Sequence, residues 1–434
     1  MTMTTNTNQN LQYLYPTETN LAHNILQQLF KQYENAFTIK LWDNSSVEIG
    51  HGVPAFKLSI LNPGLLYDLI LIHDPVRLAE AYFDGEIEVE GNFNVAMGLR
   101  YYFENLQLPL KEKLSLALRA LTITKFKLLR SKLINKSINF QRQNGKESIA
   151  FHYDISNEFY QIWLDQKMLY SCAYFETPDQ SLDQAQTNKL NHICRKLRLR
   201  PGESLLDVGC GWGALACFAA KYYGVTAYGI TLSQNQYEYA NEEIRRQGLE
   251  GQVVIELRDY RELSNSKKYD KISSIGMFEH VGLKNLPEYF STIHGLLKPG
   301  GLFLNHGITS DEPGWDHSVS TRFINRHIFP DGELDTISNV QGLMEDAKFE
   351  IFDVEGLRPH YALTLRHWIS RLESRSQEVI RAVGERTYRI WRLYMTGSAL
   401  QFELGSTGIY QILAVRKETG LPHIPLTRQD LYSK

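Results

Sequence analysis

The sequence predicts an α/β protein, a doubly wound and mostly parallel sheet preceded by a smaller domain. Three observations carry this. Leu205 to Gly213, LLDVGCGWG, sets an apolar opening and an acid before three alternate glycines, and the apolar-rich stretch Ala214 to Tyr222 follows: strand, tight turn, helix. Strand-like and helix-like runs then alternate as far as Asn305. Ahead of them, Pro54 to Gly91 is a turn-punctuated segment with an apolar patch of its own.

In chain order, residues 1–20 open with the polar MTMTTNTNQN and read as a disordered tail. Residues 21–108 form the small domain, with an apolar patch from Phe56 to Leu61, a turn at Asn62, Pro63 and Gly64, a helical run Leu65 to Ile72 and the acid-rich AYFDGEIEVEG. Asp84, Glu86, Glu88 and Glu90 alternate on one predicted strand face. A calcium site would need oxygen ligands converging from several loop positions, so a solvated face is expected. Residues 109–147 are a basic amphipathic linker: Lys111 to Lys146 holds ten Lys or Arg against Glu112 alone, with leucines between them. Such a helix can lie on an anionic bilayer, where each cation adds about 1 kcal/mol. It can equally join two domains with its lysines solvated. Residues 148–434 are the larger domain, which carries the glycine turn and the alternating elements.

In that domain Gly209, Gly211 and Gly213 do not make G-x-G-x-x-G, and no phosphate-loop lysine follows. A ligand with adenosine but no phosphates fits the turn. Thr226 to Ile230 is the next strand; Thr231 to Gln236 is a turn in which Ser233 caps a helix to about Gln247. Val253 to Leu257 and Lys271 to Gly276 are further strands, Leu286 to Leu297 a helix, and Gly301 to Asn305 a strand after the turn at Lys298 to Gly301. In such sheets ligands sit outside the carboxyl ends of the strands where strand order reverses.

Composition bounds the rest. With 434 residues, 43% hydrophobic, 22% charged and a net charge of -3, the chain is soluble and globular, with no general attraction for nucleic acid. No run of eighteen apolar residues and no signal peptide is present, so a cytoplasmic location is expected. Cys172, Cys194, Cys210 and Cys217 lack paired C-x-x-C spacing, so neither a metal site nor a disulfide framework is expected.

HYDISNEFY (His152 to Tyr160), LYSCAYFE (Leu169 to Glu176), LLDVGCGWG, GITLSQNQ (Gly229 to Gln236), SIGMFEHVG (Ser274 to Gly282) and FINRHIFPDGELD (Phe323 to Asp335) occur in one order in one domain. Together they resemble the cyclopropane-fatty-acid synthase family, which includes the mycolic acid cyclopropane synthases. The likeness runs from about residue 145 to the end and implies the Rossmann-like fold of class I S-adenosylmethionine (SAM) methyltransferases. It also implies transfer of a methylene from SAM to a cis double bond in a phospholipid acyl chain, met at the membrane surface.

The family's base resembles a bound bicarbonate, held at positions matching Cys172, Glu279, His306, Ile308 and Tyr361. His306 and the Tyr361 hydroxyl can donate to the anion, and backbone at Cys172 and Ile308 can complete its shell. Glu279 beside an anion would repel it unless a shared proton or a bridging hydrogen bond joins them. For the cofactor, Asp207 can orient the methionine amine or the loop, and Gly209, Cys210, Gly211 and Gly213 admit the amino-acid part. Thr231, Leu232 and Gln236 lie toward the ribose, Tyr260 and Arg261 toward the adenine, and Tyr153 closes the other side. Phe159, Tyr160, Tyr170, Tyr174, Phe175 and Phe278 could wall a developing cation. One departure stands out: many members carry a cysteine where MTGSALQF places Ser398. Four readings stay open: cyclopropanation, methyl branching of the same olefin, methylation of a small molecule, and a lipid-binding protein without activity. A homodimer is also left open.

Overall fold

The computed structural model describes residues 16–67, 75–106, 109, 111–112, 114–116, 118–119, 156–263, 266–314, 324, 328, 332–420 and 424–432. Tyr153, most of the basic linker and most of FINRHIFPDGELD lie outside the described residues. The chain divides into two compact units, residues 1–144 with 385–393, and residues 145–384 with 394–434.

The first unit holds a four-stranded sheet in the order β2-β1-β3-β4, with β1 Phe37–Lys40, β2 Ser46–Ile49, β3 Phe56–Ile60 and β4 Ile87–Gly91. Helix Pro16–Leu29 closes one face, burying Ala22, Ile25 and Leu26 against Phe37, Ile39 and Phe56. The acidic run differs from expectation. Only Glu88 and Glu90 lie in β4, because Asp84 and Glu86 belong to the turn before it. Each acid is also paired: Asp84 with Arg386 at 3.2 Å, Glu86 with Arg77 at 2.7 Å, Glu88 with Arg389 at 2.5 Å and Glu90 with Lys57 at 2.7 Å. Residues 385–393 return to this unit because buried Arg389 donates to the carbonyls of Tyr82 and Ile87.

The second unit is a seven-stranded sheet, β10-β11-β9-β8-β5-β6-β7. Its strands are β5 Ser204–Val208, β6 Thr226–Thr231, β7 Val253–Leu257, β8 Tyr269–Ile275, β9 Leu297–Ser310, β10 Phe349–Gly356 and β11 Thr407–Arg416. Strands β5 to β9 pair in parallel, and β11 runs antiparallel between β9 and β10. One face packs Leu205, Leu302, Leu304 and Leu413 under helices Leu182–Lys196, Ala214–Tyr223 and Gln234–Gln247. The other packs Leu206, Ile272, Phe303 and Ile412 under Leu286–Leu296 and Ile337–Asp346. Strand order reverses beside β5, which has β6 on one side and β8 on the other. β9 is longer than its pattern suggested: Lys298 to Gly301 stays within the strand, with Gly300 at φ 73° and a register shift between Tyr269 and Lys271. All four cysteines are free and buried, and among the described residues no helix is long and apolar enough to cross a membrane.

Candidate active site

The glycine turn is built by backbone geometry. Gly209, Gly211 and Gly213 have φ of 74°, 55° and 81°, a region costly for residues with a Cβ. At Gly209 a Cβ would stand 3.3 Å from Met277 Sδ; at Gly211 it would meet open space. The turn therefore leaves a cradle into which a ligand's backbone-sized parts fit. Between them, Cys210 serves packing: its amide donates to Ile230 O at 2.9 Å, and burial holds its thiol well above the usual range.

The other predicted cofactor residues stand at the carboxyl ends of the adjoining strands. Asp207, buried near the end of β5, accepts from Ser273 Oγ at 2.7 Å. Burial pushes its carboxyl up to about 6, partly offset by Ser273 and the charge of Lys189. Thr231 Oγ1 donates to Gln236 Oε1 at 2.7 Å and accepts from Ser233 N. Gln236 thus has its amide NH₂ left to offer a hydroxyl. Leu232 is 70% exposed, an open apolar side chain at that rim. After β7, Asp259 accepts from the amide and guanidinium of Arg261, whose charge lies 6.0 Å from the Tyr260 ring. Asn157, which sequence reasoning missed, bridges Trp212 Nε1 at 2.7 Å and Asn235 O at 3.0 Å, tying helix Asn157–Trp163 to the turn. Its only sequence signal is its place in HYDISNEFY.

The expected base site contains unspent hydrogen-bonding capacity. Glu279 Oε1 accepts from Ile308 N at 2.7 Å, while buried Oε2 has no partner among the described residues. Burial pushes this carboxyl up to about 7, with the Ile308 bond opposing. Ile308 therefore spends its amide on orienting Glu279. His306 is 1% exposed; burial and the nearby Lys189 and Lys196 charges press it down to about 3, so it is neutral at physiological pH. Its Nδ1 faces Gln411 Nε2 at 3.4 Å and its Nε2 is unpartnered among the described residues. Cys172 is buried, its thiol held up by desolvation. Around it Ala173 N donates to Thr364 Oγ1, Tyr174 N to Ala185 O and Phe175 N to His360 Nδ1. That pins a segment lacking regular structure. Tyr361 packs on Phe402 at 4.7 Å and lies within electrostatic reach of Cys172, Glu279 and Tyr394.

The aromatic wall is narrower than expected. Tyr160 and Tyr170 join Trp163, Trp212 and Trp368 at centroid distances of 5.1 to 5.8 Å, and Phe159 packs behind them. Tyr174 is instead stacked between His192 and His360, Phe175 lies on His367, and Phe278 is in the core with Tyr289. Ser398 hydrogen-bonds Tyr394, which also bonds Tyr170. Burial pushes Tyr394 up to about 12, so it is no base for that hydroxyl at neutral pH.

Residues 140–412 match the mycolic acid cyclopropane synthetase family, and residues 23–105 match a domain of unknown function. A probable fatty acid methyltransferase of Pseudomonas putida is 40% identical over 91% of this chain and 95% of its own. The cyclopropane-fatty-acyl-phospholipid synthase of Escherichia coli K12 is 34% identical over 88% and 94%. Among solved structures, a mycolic acid cyclopropane synthase complexed with SAH and CTAB aligns with a TM-score of 0.59 at 33% identity, covering 63% of this chain and 99% of that one. The fold is that of class I SAM methyltransferases.

Proposed function

The chain belongs to the mycolic acid cyclopropane synthetase family of SAM-dependent enzymes, and from that premise we propose that it is a cyclopropane-fatty-acid synthase acting on a cis double bond of a phospholipid acyl chain, with bicarbonate as base. The reading rests above all on one observation: Glu279 Oε2 and His306 Nε2 are buried without partners among the described residues. Such groups cost about 1–3 kcal/mol each unless something fills them. A small anion sharing a proton with Glu279 and accepting from His306 and Tyr361 would satisfy the set. SAM supplies the transferred carbon. Asp207 holds its amine, the glycine turn admits its amino-acid part, and Gln236 and Tyr260 bound its nucleoside. Once the alkene has gained that carbon it is a cation and must lose a proton. The raised Glu279 carboxyl can hold a proton beside the anion instead of repelling it, and the neutral His306 can donate to it. Tyr160 and Tyr170 present ring faces worth about 0.5–2 kcal/mol each to a cation.

The name of the Pseudomonas putida relative favours methyl branching as the second reading. Incubation with SAM and unsaturated phospholipid separates the two by mass spectrometry. Both products gain one CH₂ unit, but only the cyclopropane lacks a reducible alkene. Removing bicarbonate should slow turnover by about 10²-fold or more, the usual contribution of a positioned base; indifference to bicarbonate would sink this mechanism.

The substrate's double bond lies inside the bilayer, so the enzyme must dock there, and residues 109–147 are the proposed docking element. Replacing Lys125, Lys127, Arg130 and Lys132 with Gln should weaken vesicle binding, most at low salt, while leaving SAM affinity unchanged. Equal co-sedimentation of variant and parent with anionic vesicles at low salt would make the segment a linker.

A further inference from the structure

Helix Leu182–Lys196 turns two lysines toward the sheet. Lys189 and Lys196 are 1% and 0% exposed, and seven residues, two helical turns, separate them. Lys196 is neutralised by Glu355 at 2.5 Å and Asp353 at 3.3 Å. Lys189 has no carboxylate at ion-pair distance among the described residues. Its Nζ donates at 2.8 Å to Ser171 Oγ, immediately before Cys172, leaving two further N–H donors. The groups that feel its charge are Asp165 before the Cys172 segment, Cys172 itself, Asp207 on β5 and His306 on β9.

A buried cation with no carboxylate at ion-pair distance among the described residues is costly, and so is a buried anion beside a carboxylate and an uncharged imidazole. Placed together, each removes the other's penalty. We propose that Lys189 is the counter-charge of the base site: its ammonium, fixed by Ser171, retains the anion between the Cys172 segment and His306. This rests on the anion-held base proposed above. Lys189 is a positioning residue here, since Glu279, His306 and Tyr361 make the contacts with the anion and Lys189 supplies the field that keeps it there. It also explains how a site whose other polar members are neutral or acidic can prefer an anion at all.

The test is bicarbonate titration of full-length enzyme turning over unsaturated phospholipid vesicles with saturating SAM. Lys189→Met should raise the half-saturating bicarbonate about tenfold or more while SAM affinity by calorimetry changes less than about threefold. Burial brings Lys189 down to about 8, with Asp165, Cys172 and Asp207 opposing. Lys189→Arg should therefore restore bicarbonate affinity and extend activity to higher pH than the parent, because a guanidinium stays charged. A purely structural lysine would not move that alkaline limb. If Lys189→Met does not fold, Ser171→Ala frees the ammonium from its anchor and should raise half-saturation severalfold. An unchanged bicarbonate requirement in the folded variant, or an equal loss of SAM affinity, would overturn the assignment while leaving the base reading intact. Parent turnover indifferent to bicarbonate would remove both.

Discussion

Glu279→Gln is expected to lose at least about 10²-fold in turnover, the scale of a displaced base, while folding more stably than the parent above pH 7. The amide keeps an oxygen for Ile308 N but cannot share a proton with an anion. The stability gain follows from the direction of the parent's titration. Burial raises the Glu279 carboxyl from 4.5 to about 7, so its stabilising contribution is complete below pH 4.5 and is lost as pH rises through 7. Gln does not ionise and escapes that loss. The difference should grow from near zero at acid pH to about 3 kcal/mol above pH 7 in bicarbonate-free buffer. Thermal unfolding of both proteins at pH 4.5 and pH 8 reads this directly. Equal melting temperatures at pH 8 would mean that the parent's carboxylate ionises without penalty and that the site is wetter than its burial implies.

Gly209→Val should abolish measurable SAM binding. A β-branched residue at φ 74° is strained by about 1–3 kcal/mol, and its side chain would enter the space beside Met277 Sδ, at the mouth of the turn. The expected protein is folded but unable to bind SAM, with its melting temperature lowered by only a few degrees. Calorimetry in which the variant keeps the parent's SAM affinity would remove the glycine turn from the cofactor site.

The parts legible in the sequence were those specified locally. The turn at Gly209 to Gly213 announces itself because positive φ demands glycine, and the Ser233 cap because its hydroxyl bonds Gln236 N three residues on. What stayed hidden depends on partners distant in the chain. QTNKLNHICRK reads as an ordinary polar helix, and nothing in it marks Lys189 and Lys196 as buried until the sheet with Glu355 and Asp353 lies against it. β10 and β11 escaped notice because they lie beyond the regular alternation and complete the sheet by antiparallel pairing. The resemblance placed Ile308 beside the anion, but that its amide donates to Glu279 depends on backbone direction, which is invisible in sequence. Tyr174 was grouped with the rings beside the motifs, most of them expected in the core, and its stacking on His192 and His360 makes it a brace for the Cys172 segment.

Strand β11 has a consequence for how the protein is made. It is synthesised after β10 yet lies between β10 and β9, so β10 has no neighbour in this sheet until residues 407–416 have been translated. Until then the fourteen-residue β9 exposes one edge, a template for pairing with other chains. The same late strand carries Gln411, which stands opposite His306 in register. A growing chain that already contains the whole glycine turn therefore still lacks the neighbour of its central imidazole. Activity should appear only after residues 407–416 have been translated, and chains stalled or ended before them should aggregate through β9 rather than consume SAM.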